Sequence, residues 1–118
     1  GTIYAITFDP ALEHQLISSV QQQGETINLS IPPETAVEMV NNVTASWKTV
    51  MEKGIDNIIL LCDARIRVAL FNLLERQITG LPIIAYDEIV PGTRIEPLEV
   101  VNAESVSDLQ NHNQMMGV

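Results

Sequence analysis

The feature that most constrains the fold is an apolar run without polar alternation, IILLC at residues 58–62. Such a run is typical of a strand in a parallel sheet that is covered on both faces. Asp63 follows as a candidate helix cap, and GLP at residues 80–82 turns the chain into a second apolar run at residues 83–86. Between them, apolar residues recur at helical spacing: Ile66, Leu70, Leu73 and Leu74. The pattern predicts a right-handed crossover between two adjacent parallel strands.

Two further helices are predicted upstream of that unit. Residues 3–8 are prone to form a strand, and Asp9 with Pro10 then begins a helix that we expect to end near Gln23, before Gly24. Its apolar stripe is Leu12, Leu16 and Val20. A longer helix opens at residues 32–34 and stops at Gly54, with the stripe Ala36, Val40, Val43, Trp47 and Val50. On this stripe Trp47 is expected to pack in the core.

Two extended segments complete the prediction. Residues 26–31 alternate polar and apolar side chains and predict a weak strand. Residues 93–101 predict one more extended segment, which Pro97 either confines to a sheet edge or breaks. The expected fold class is therefore α/β: a small domain of two or three layers, with a short, partly parallel sheet of βαβαβ type flanked by about three helices. We expect this domain to span residues 1–101 and a flexible polar tail to span residues 102–118.

Composition limits the function. The chain has 118 residues, of which 46% are hydrophobic, so one domain with a real core is expected. Its net charge of −9 argues against binding nucleic acid or anionic lipid, since both depend on Lys and Arg. One cysteine cannot form an internal disulfide, and neither a signal segment nor an apolar run of membrane-spanning length is visible, which favours a reducing, cytosolic setting.

Residues that could carry chemistry lack the partners that chemistry needs. Cys62 ends a strand before a helix, a position that can activate a thiol, but His14 and His112 are remote and Asp63 opposes a thiolate. A buried, inert Cys62 is therefore favoured. The Cys62-Asp63-Ala64-Arg65 turn has no glycine to cradle a phosphate, and Asp87-Glu88 fits an ordinary solvated turn. We predict no catalytic residue, no metal site and no cofactor.

Three arginines are the candidate interface residues: Arg65, Arg67 and Arg76. The sequence places them on one short helix, with Arg65 and Arg76 near one face and Arg67 to the side. They either form surface ion pairs with the many acidic residues or contact an acidic patch on a neighbouring subdomain or subunit.

Four stretches resemble the type III secretion export-gate family, also called the FHIPEP family, whose members are large inner-membrane proteins of flagella and injectisomes. The stretches lie in FDPALEHQL (8–16) and NIILLCDARIRVALFNLLERQITGLPIIAYDEI (57–89). In the family the corresponding order is an LDPALE helix start, a VLLCSPRLR joint, an LLER helix and an LPVLSYNEI strand. The resemblance covers about residues 6–90.

Matches and departures can be named by residue. The matching positions are Asp9 to Glu13, Leu61, Cys62, Arg65, Arg67, Leu73 to Arg76, Leu81, Pro82, Tyr86, Glu88 and Ile89. Asp63-Ala64 replaces a Ser-Pro pair that is frequent in the family, and Thr79-Gly80 replaces a charged or proline-containing turn. The extension past Ile89 is longer than expected of injectisome members, which favours a flagellar system while leaving an injectisome open.

The resemblance implies a role in protein export without catalysis. The chain is then expected to be the last subdomain of a cytoplasmic region that assembles into a nine-membered ring at the inner membrane and receives export substrates with their chaperones. In the family this subdomain forms one wall of a docking cleft. Two other classes stay open from the residues alone: an independent α/β binding or regulatory module, such as a sulfate-transporter anti-sigma domain, and a small enzyme using Cys62.

Overall fold

The computed structural model describes residues 2–102, which form an α/β fold. Its elements in chain order are β1 (Thr2–Phe8), α1 (Pro10–Ser18), β2 (Val20–Gln23), β3 (Thr26–Leu29), α2 (Pro33–Glu52), β4 (Ile58–Cys62), α3 (Arg67–Leu74), β5 (Ile83–Ala85), a 3-10 turn (Tyr86–Glu88) and β6 (Arg94–Val101). Four strands form one sheet in the order β5-β4-β1-β6, and every pairing in it is parallel. Strands β2 and β3 form a separate antiparallel hairpin. The predicted fold class is confirmed.

Helix α1 begins where the sequence predicts but ends earlier. The Asp9 carboxylate accepts a hydrogen bond from the Ala11 N–H (3.0 Å), and Pro10 occupies the first turn. The predicted extension to Gln23 is wrong, because the helix stops at Ser18 and residues 20–23 pair with β3. The three consecutive glutamines offer no apolar stripe to hold a helix on the core. Gly24, with φ +62°, serves the hairpin turn instead of a helix cap.

The core lies between the sheet and the three helices. Helix α2 contributes Met39, Val43 and Val50, while Val40 and Trp47 pack beside them half-buried. The sequence stripe missed Met39 but placed Trp47 on the correct side of the helix. Helix α1 adds Leu12 and Leu16, and α3 adds Leu70 and Leu74. None of the described helices is both long enough and apolar enough to cross a membrane.

The β4-α3-β5 unit is the predicted parallel crossover. β4 lies between β5 and β1, and four of its five side chains are buried. The helix, however, starts at Arg67 and not directly after Asp63. A tight turn intervenes, in which the Asp63 carboxylate accepts a hydrogen bond from the Arg65 N–H (2.8 Å). Asp63 therefore caps this turn rather than the helix, and the interpretation of it as a helix cap was wrong.

Strand β6 is continuous and occupies the sheet edge, which is the first of the two alternatives that Pro97 left open. It pairs only with β1, where Pro97 aligns with Ala5 and Glu99 aligns with Ile6. Leu98 is thus an extra residue that forms a β-bulge, a common device at edges. The predicted tail begins at this point, and its residues 103–118 lie outside the described part of the chain.

Candidate interaction site at the carboxyl edge of the sheet

Five charged side chains gather where the parallel strands end, and we call them the edge cluster: Glu13, Asp63, Arg65, Arg67 and Glu88. Glu13 comes from the first turn of α1, just after β1. Asp63 and Arg65 follow β4, Arg67 opens α3, and Glu88 follows β5. The carboxyl edge of a parallel sheet is where α/β proteins commonly place a functional site.

Glu13 connects α1 to the joint after β4. Its carboxylate accepts a hydrogen bond from the Asp63 N–H (2.9 Å), across fifty positions of sequence. Burial raises the pKa of Glu13, although the hydrogen bond to the Asp63 backbone works in the opposite direction. The hydrogen bond from the Asp63 N–H therefore favours the charged form of Glu13, whereas the partly buried position of its carboxylate disfavours that form.

Asp63 and Arg65 form a closed pair. Arg65 donates from Nε to one carboxylate oxygen (2.9 Å) and from Nη2 to the other (3.0 Å), which is the bidentate geometry of a strong ion pair. These bonds lower the pKa of Asp63 to about 2. The Arg65 side chain remains 69% exposed, so the pair adds little to stability, although one edge of its guanidinium already donates to Asp63.

Arg67 and Glu88 connect the start of α3 to the end of β5. Arg67 Nε lies 3.0 Å from Glu88 Oε1, and the same oxygen accepts a hydrogen bond from the Ala85 N–H (2.9 Å). Glu88 thereby holds the turn that Asp87 shares, and both residues are exposed, which agrees with the interpretation of Asp87-Glu88 as an ordinary solvated turn. Periodicity gave no signal for the contacts of Glu13 and Glu88. Both residues occupy matching positions of the family motifs, and this match was the sequence feature that could have indicated a role for them.

Cys62 lies beneath the edge cluster and is completely buried. Burial raises the pKa of its thiol to about 12, with the charge of Glu13 adding to the effect. A thiol with this pKa is a poor nucleophile near neutral pH. Within residues 2–102, His, Cys, Asp and Glu side chains nowhere form a group of three or more that could hold a metal ion.

Arg76 lies elsewhere, so the expectation that the three arginines share one short helix was wrong. Helix α3 spans Arg67–Leu74 only, and Arg65 precedes it while Arg76 follows it. Eight helical residues extend about 12 Å, which separates the two ends. Arg76 instead lines a groove of about 700 Å³ between β3 and α3, together with Glu25 and Glu75. We call this the hairpin groove.

One hydrogen bond holds the two sides of the hairpin groove together, and a second depression adjoins the groove. Asn72 donates a hydrogen bond to the Ile27 carbonyl (2.8 Å), which holds α3 against the hairpin. A smaller depression of about 230 Å³, lined by Val37 and Val40 of α2, adjoins it, because both contain Leu73 and Gln77. The larger groove carries charged side chains of both signs, and the smaller depression is lined mainly by aliphatic ones.

Comparison with known proteins gives this geometry a context. The sequence matches the FHIPEP family over residues 1–94. The chain belongs to the FHIPEP family. The resemblance of its motifs to the export gates is thereby confirmed. Of the edge cluster, Glu13, Arg65, Arg67 and Glu88 occupy matching motif positions, whereas Asp63 is a departure from the motif.

Relatives within the FHIPEP family include two flagellar biosynthesis proteins called FlhA. The Helicobacter pylori protein is 22% identical over 86% of this chain, and the Bacillus subtilis protein is 26% identical over 82%. The chain spans only 14% of the length of each.

Solved structures share the fold. The nonameric SctV-C of EPEC superposes with a TM-score of 0.72 at 17% identity, covering 85% of this chain and 29% of that one. The C-terminal domain of InvA gives 0.71 at 16% identity, covering 86% and 31%. Chlamydia pneumoniae CdsV gives 0.64 at 21% identity, covering 85% and 27%.

Proposed function

We propose that this chain is a subdomain of a type III export-gate protein and serves protein secretion through its surfaces, without catalysing a reaction. Membership of the FHIPEP family over residues 1–94 is the observation that carries the proposal. Burial of Cys62, which raises the pKa of its thiol to about 12, argues against the alternative of an enzyme using Cys62. Nothing in the described structure favours an independent regulatory module.

The flagellar system is the favoured setting. Both curated relatives are flagellar biosynthesis proteins, whereas the structural likeness to SctV-C, InvA and CdsV concerns the fold. By analogy with the nonameric SctV-C, the parent protein would assemble into a ring at the cytoplasmic face of the inner membrane. The CdsV and CdsO complex supports other export-apparatus proteins as partners, and we propose that chaperone-substrate complexes dock there as well.

Within this proposal Arg76 is the leading interface residue of the three arginines. Arg65 is paired with Asp63, and Arg67 is paired with Glu88. In residues 2–102 no ion pair involves Arg76, whose side chain is exposed in the hairpin groove. A free guanidinium beside an open groove can pair with an acidic group of a partner at little desolvation cost.

The test is charge reversal in the full-length gene product. Arg76→Glu should reduce export or motility severalfold while the melting temperature of the domain stays unchanged, because an exposed, unpaired arginine adds little to stability. Arg94→Glu, at an exposed position that begins β6, is the matched control and should export normally. Wild-type export from a folded Arg76→Glu protein would refute the interface. A gene deletion without effect on any export system would refute the function itself.

A further inference from the structure

Strand β2 of the hairpin has a backbone edge that no other strand occupies. Within residues 2–102, β2 pairs with β3 alone. Its three glutamines, Gln21, Gln22 and Gln23, are exposed, while Val20 is half-buried. An unpaired strand edge presents backbone N–H and C=O groups that can form hydrogen bonds with a further strand. We call the side of β2 that faces away from β3 the free edge.

The hydrogen-bond register identifies the groups on the free edge. In an antiparallel pair, residues opposite each other alternate between pairs that exchange hydrogen bonds and pairs that do not. The Ser30 N–H donates to the Ser19 carbonyl (2.7 Å), directly before the first paired residue of β2. The alternation therefore turns the N–H and C=O groups of Val20 and Gln22 away from β3.

The opposite edge of the hairpin is closed by a side chain. Ile27 lies opposite Gln22, so its backbone groups also face outward, on the β3 side. The Ile27 carbonyl accepts the hydrogen bond from Asn72 of α3 (2.8 Å). Covering an edge with a helix is one way in which proteins prevent unwanted strand pairing. The described contacts include no equivalent cover for the backbone of Gln22 in β2.

The edges of the four-stranded sheet are protected by other means. The Ala85 N–H of β5 donates to the Glu88 carboxylate (2.9 Å) and not to a strand. Strand β6 contains Pro97, which has no N–H to donate, and the charged side chains Glu96 and Glu99. Strand β2 has no proline, no charged side chain and no bulge. Among the strand edges in residues 2–102, the free edge is therefore the one open to pairing.

The chemistry of the free edge selects backbone over sequence. In strand addition, main-chain hydrogen bonds supply affinity and side-chain pockets supply specificity. Neither the hairpin groove nor the smaller depression includes a residue of β2. Glutamine side chains both donate and accept hydrogen bonds, and they form ladders between stacked strands. An edge with these properties suits extended partners that differ in sequence.

We propose that the free edge binds an extended, non-acidic segment of a polypeptide presented for export, which pairs with β2 as a third strand. A third strand stabilises a hairpin that is marginal with two. The net charge of −9 disfavours a second copy of the chain or an acidic segment as the occupant. The inference rests on the proposed function, since it takes the segment from an exported polypeptide.

Amide hydrogen exchange followed by NMR tests the proposal on the 118-residue chain. The probe is a short peptide that alternates threonine and lysine. It should slow exchange of the Val20 and Gln22 amides severalfold, and the Ile27 amide, which faces the other edge, is the control and should not change. The same peptide N-methylated at alternate amides should give no protection. A peptide that alternates threonine and glutamate should bind severalfold more weakly at low salt.

Two variants of one residue connect binding to export. Gln22→Pro removes an N–H that does not bond β3, so the hairpin should persist while protection by the threonine-lysine peptide is lost. Gln22→Ala keeps that N–H and should bind normally. In the full-length gene product, Gln22→Pro should reduce export severalfold and Gln22→Ala should not.

Several results would overturn strand addition at the free edge. These are unchanged exchange of Val20 and Gln22 at millimolar peptide, equal protection by the N-methylated peptide, and protection that appears without peptide as the chain is concentrated, which would identify a second copy. Normal export by a folded Gln22→Pro protein would reject the export role of the free edge alone. Unchanged export after deletion of the gene would reject the proposed function, whatever the peptide does.

Discussion

The hydrogen bond from the Asp63 N–H to Glu13 should be the most sensitive polar contact in the domain. Replacing Glu13 with alanine removes the acceptor 2.9 Å from that amide and leaves a partly buried donor without a partner. Loss of a hydrogen bond to a charged group costs about 1.5–3 kcal/mol. Alanine has a better helix propensity than glutamate, which offsets about 0.5 kcal/mol of this loss in the free energy of unfolding. We therefore expect Glu13→Ala to lower the free energy of unfolding by about 1–2.5 kcal/mol.

Glu13→Gln separates the acceptor from the charge. The amide oxygen can still accept from the Asp63 N–H, and the neutral side chain avoids the desolvation that raises the pKa of Glu13. A raised folded pKa means that the protonated form is favoured by folding, so the wild type loses stability as pH rises through that pKa. The free energy of unfolding of Glu13→Gln should therefore equal that of the wild type in acid and should exceed it increasingly as the pH rises from about 4 to 7.

Urea unfolding followed by circular dichroism, at about pH 4 and at about pH 7, measures these differences in the free energy of unfolding. Glu52→Ala, at an exposed site in the last turn of α2, is the control and should change stability by at most about 0.5 kcal/mol. If Glu13→Ala unfolds at the same urea concentration as Glu52→Ala, the contact between α1 and the joint after β4 does not contribute as argued. An advantage of Glu13→Gln that grew towards acid would contradict the sign of the pKa shift.

Two further predictions concern the interior of the sheet. Leu60→Ala should destabilise by about 2–5 kcal/mol, because the side chain is 0% exposed in the helix-covered core; a urea midpoint within error of the wild type would contradict its placement there. Native Cys62 should resist iodoacetamide at pH 7.5 and react fully in urea, because it is buried and burial raises the pKa of its thiol to about 12; rapid stoichiometric labelling of the folded protein would revive the enzyme hypothesis.

The helices and strands whose buried side recurs regularly in the sequence could be predicted from it. The run at residues 58–62 identified a central strand, the following stripe identified α3, and Pro97 placed β6 at an edge. These succeed because burial selects residue type at each position, and the selection repeats with the period of the element. The FDPALE start of α1 succeeded for a local reason, since Asp9 and Pro10 cap and open a helix wherever it packs.

Where the prediction failed, the competing structure depended on contacts distant in sequence. Residues 20–23 leave the helix to pair with β3, and nothing in a run of glutamines announces a hairpin partner. The helical arrangement of Arg65 and Arg76 failed because a turn fixed by the Asp63 carboxylate delays α3. Helical spacing places side chains correctly only within a helix. Arg65 and Arg76 both lie outside α3, so the spacing says nothing about where they lie relative to each other. The edge cluster was missed for a related reason, because Glu13 and the Asp63 amide are fifty positions apart.

The edge cluster shows how the carboxyl edge of a parallel sheet can be built from charged residues that serve the fold. Glu13 and Glu88 each accept from a backbone amide, and Arg65 and Arg67 each pair with an acid, so the polar groups there hold secondary-structure elements together. In residues 2–102 an exposed charged side chain without an ion pair lies elsewhere, at Arg76 in the hairpin groove, so a partner that reads charge has more to bind there than at the edge cluster.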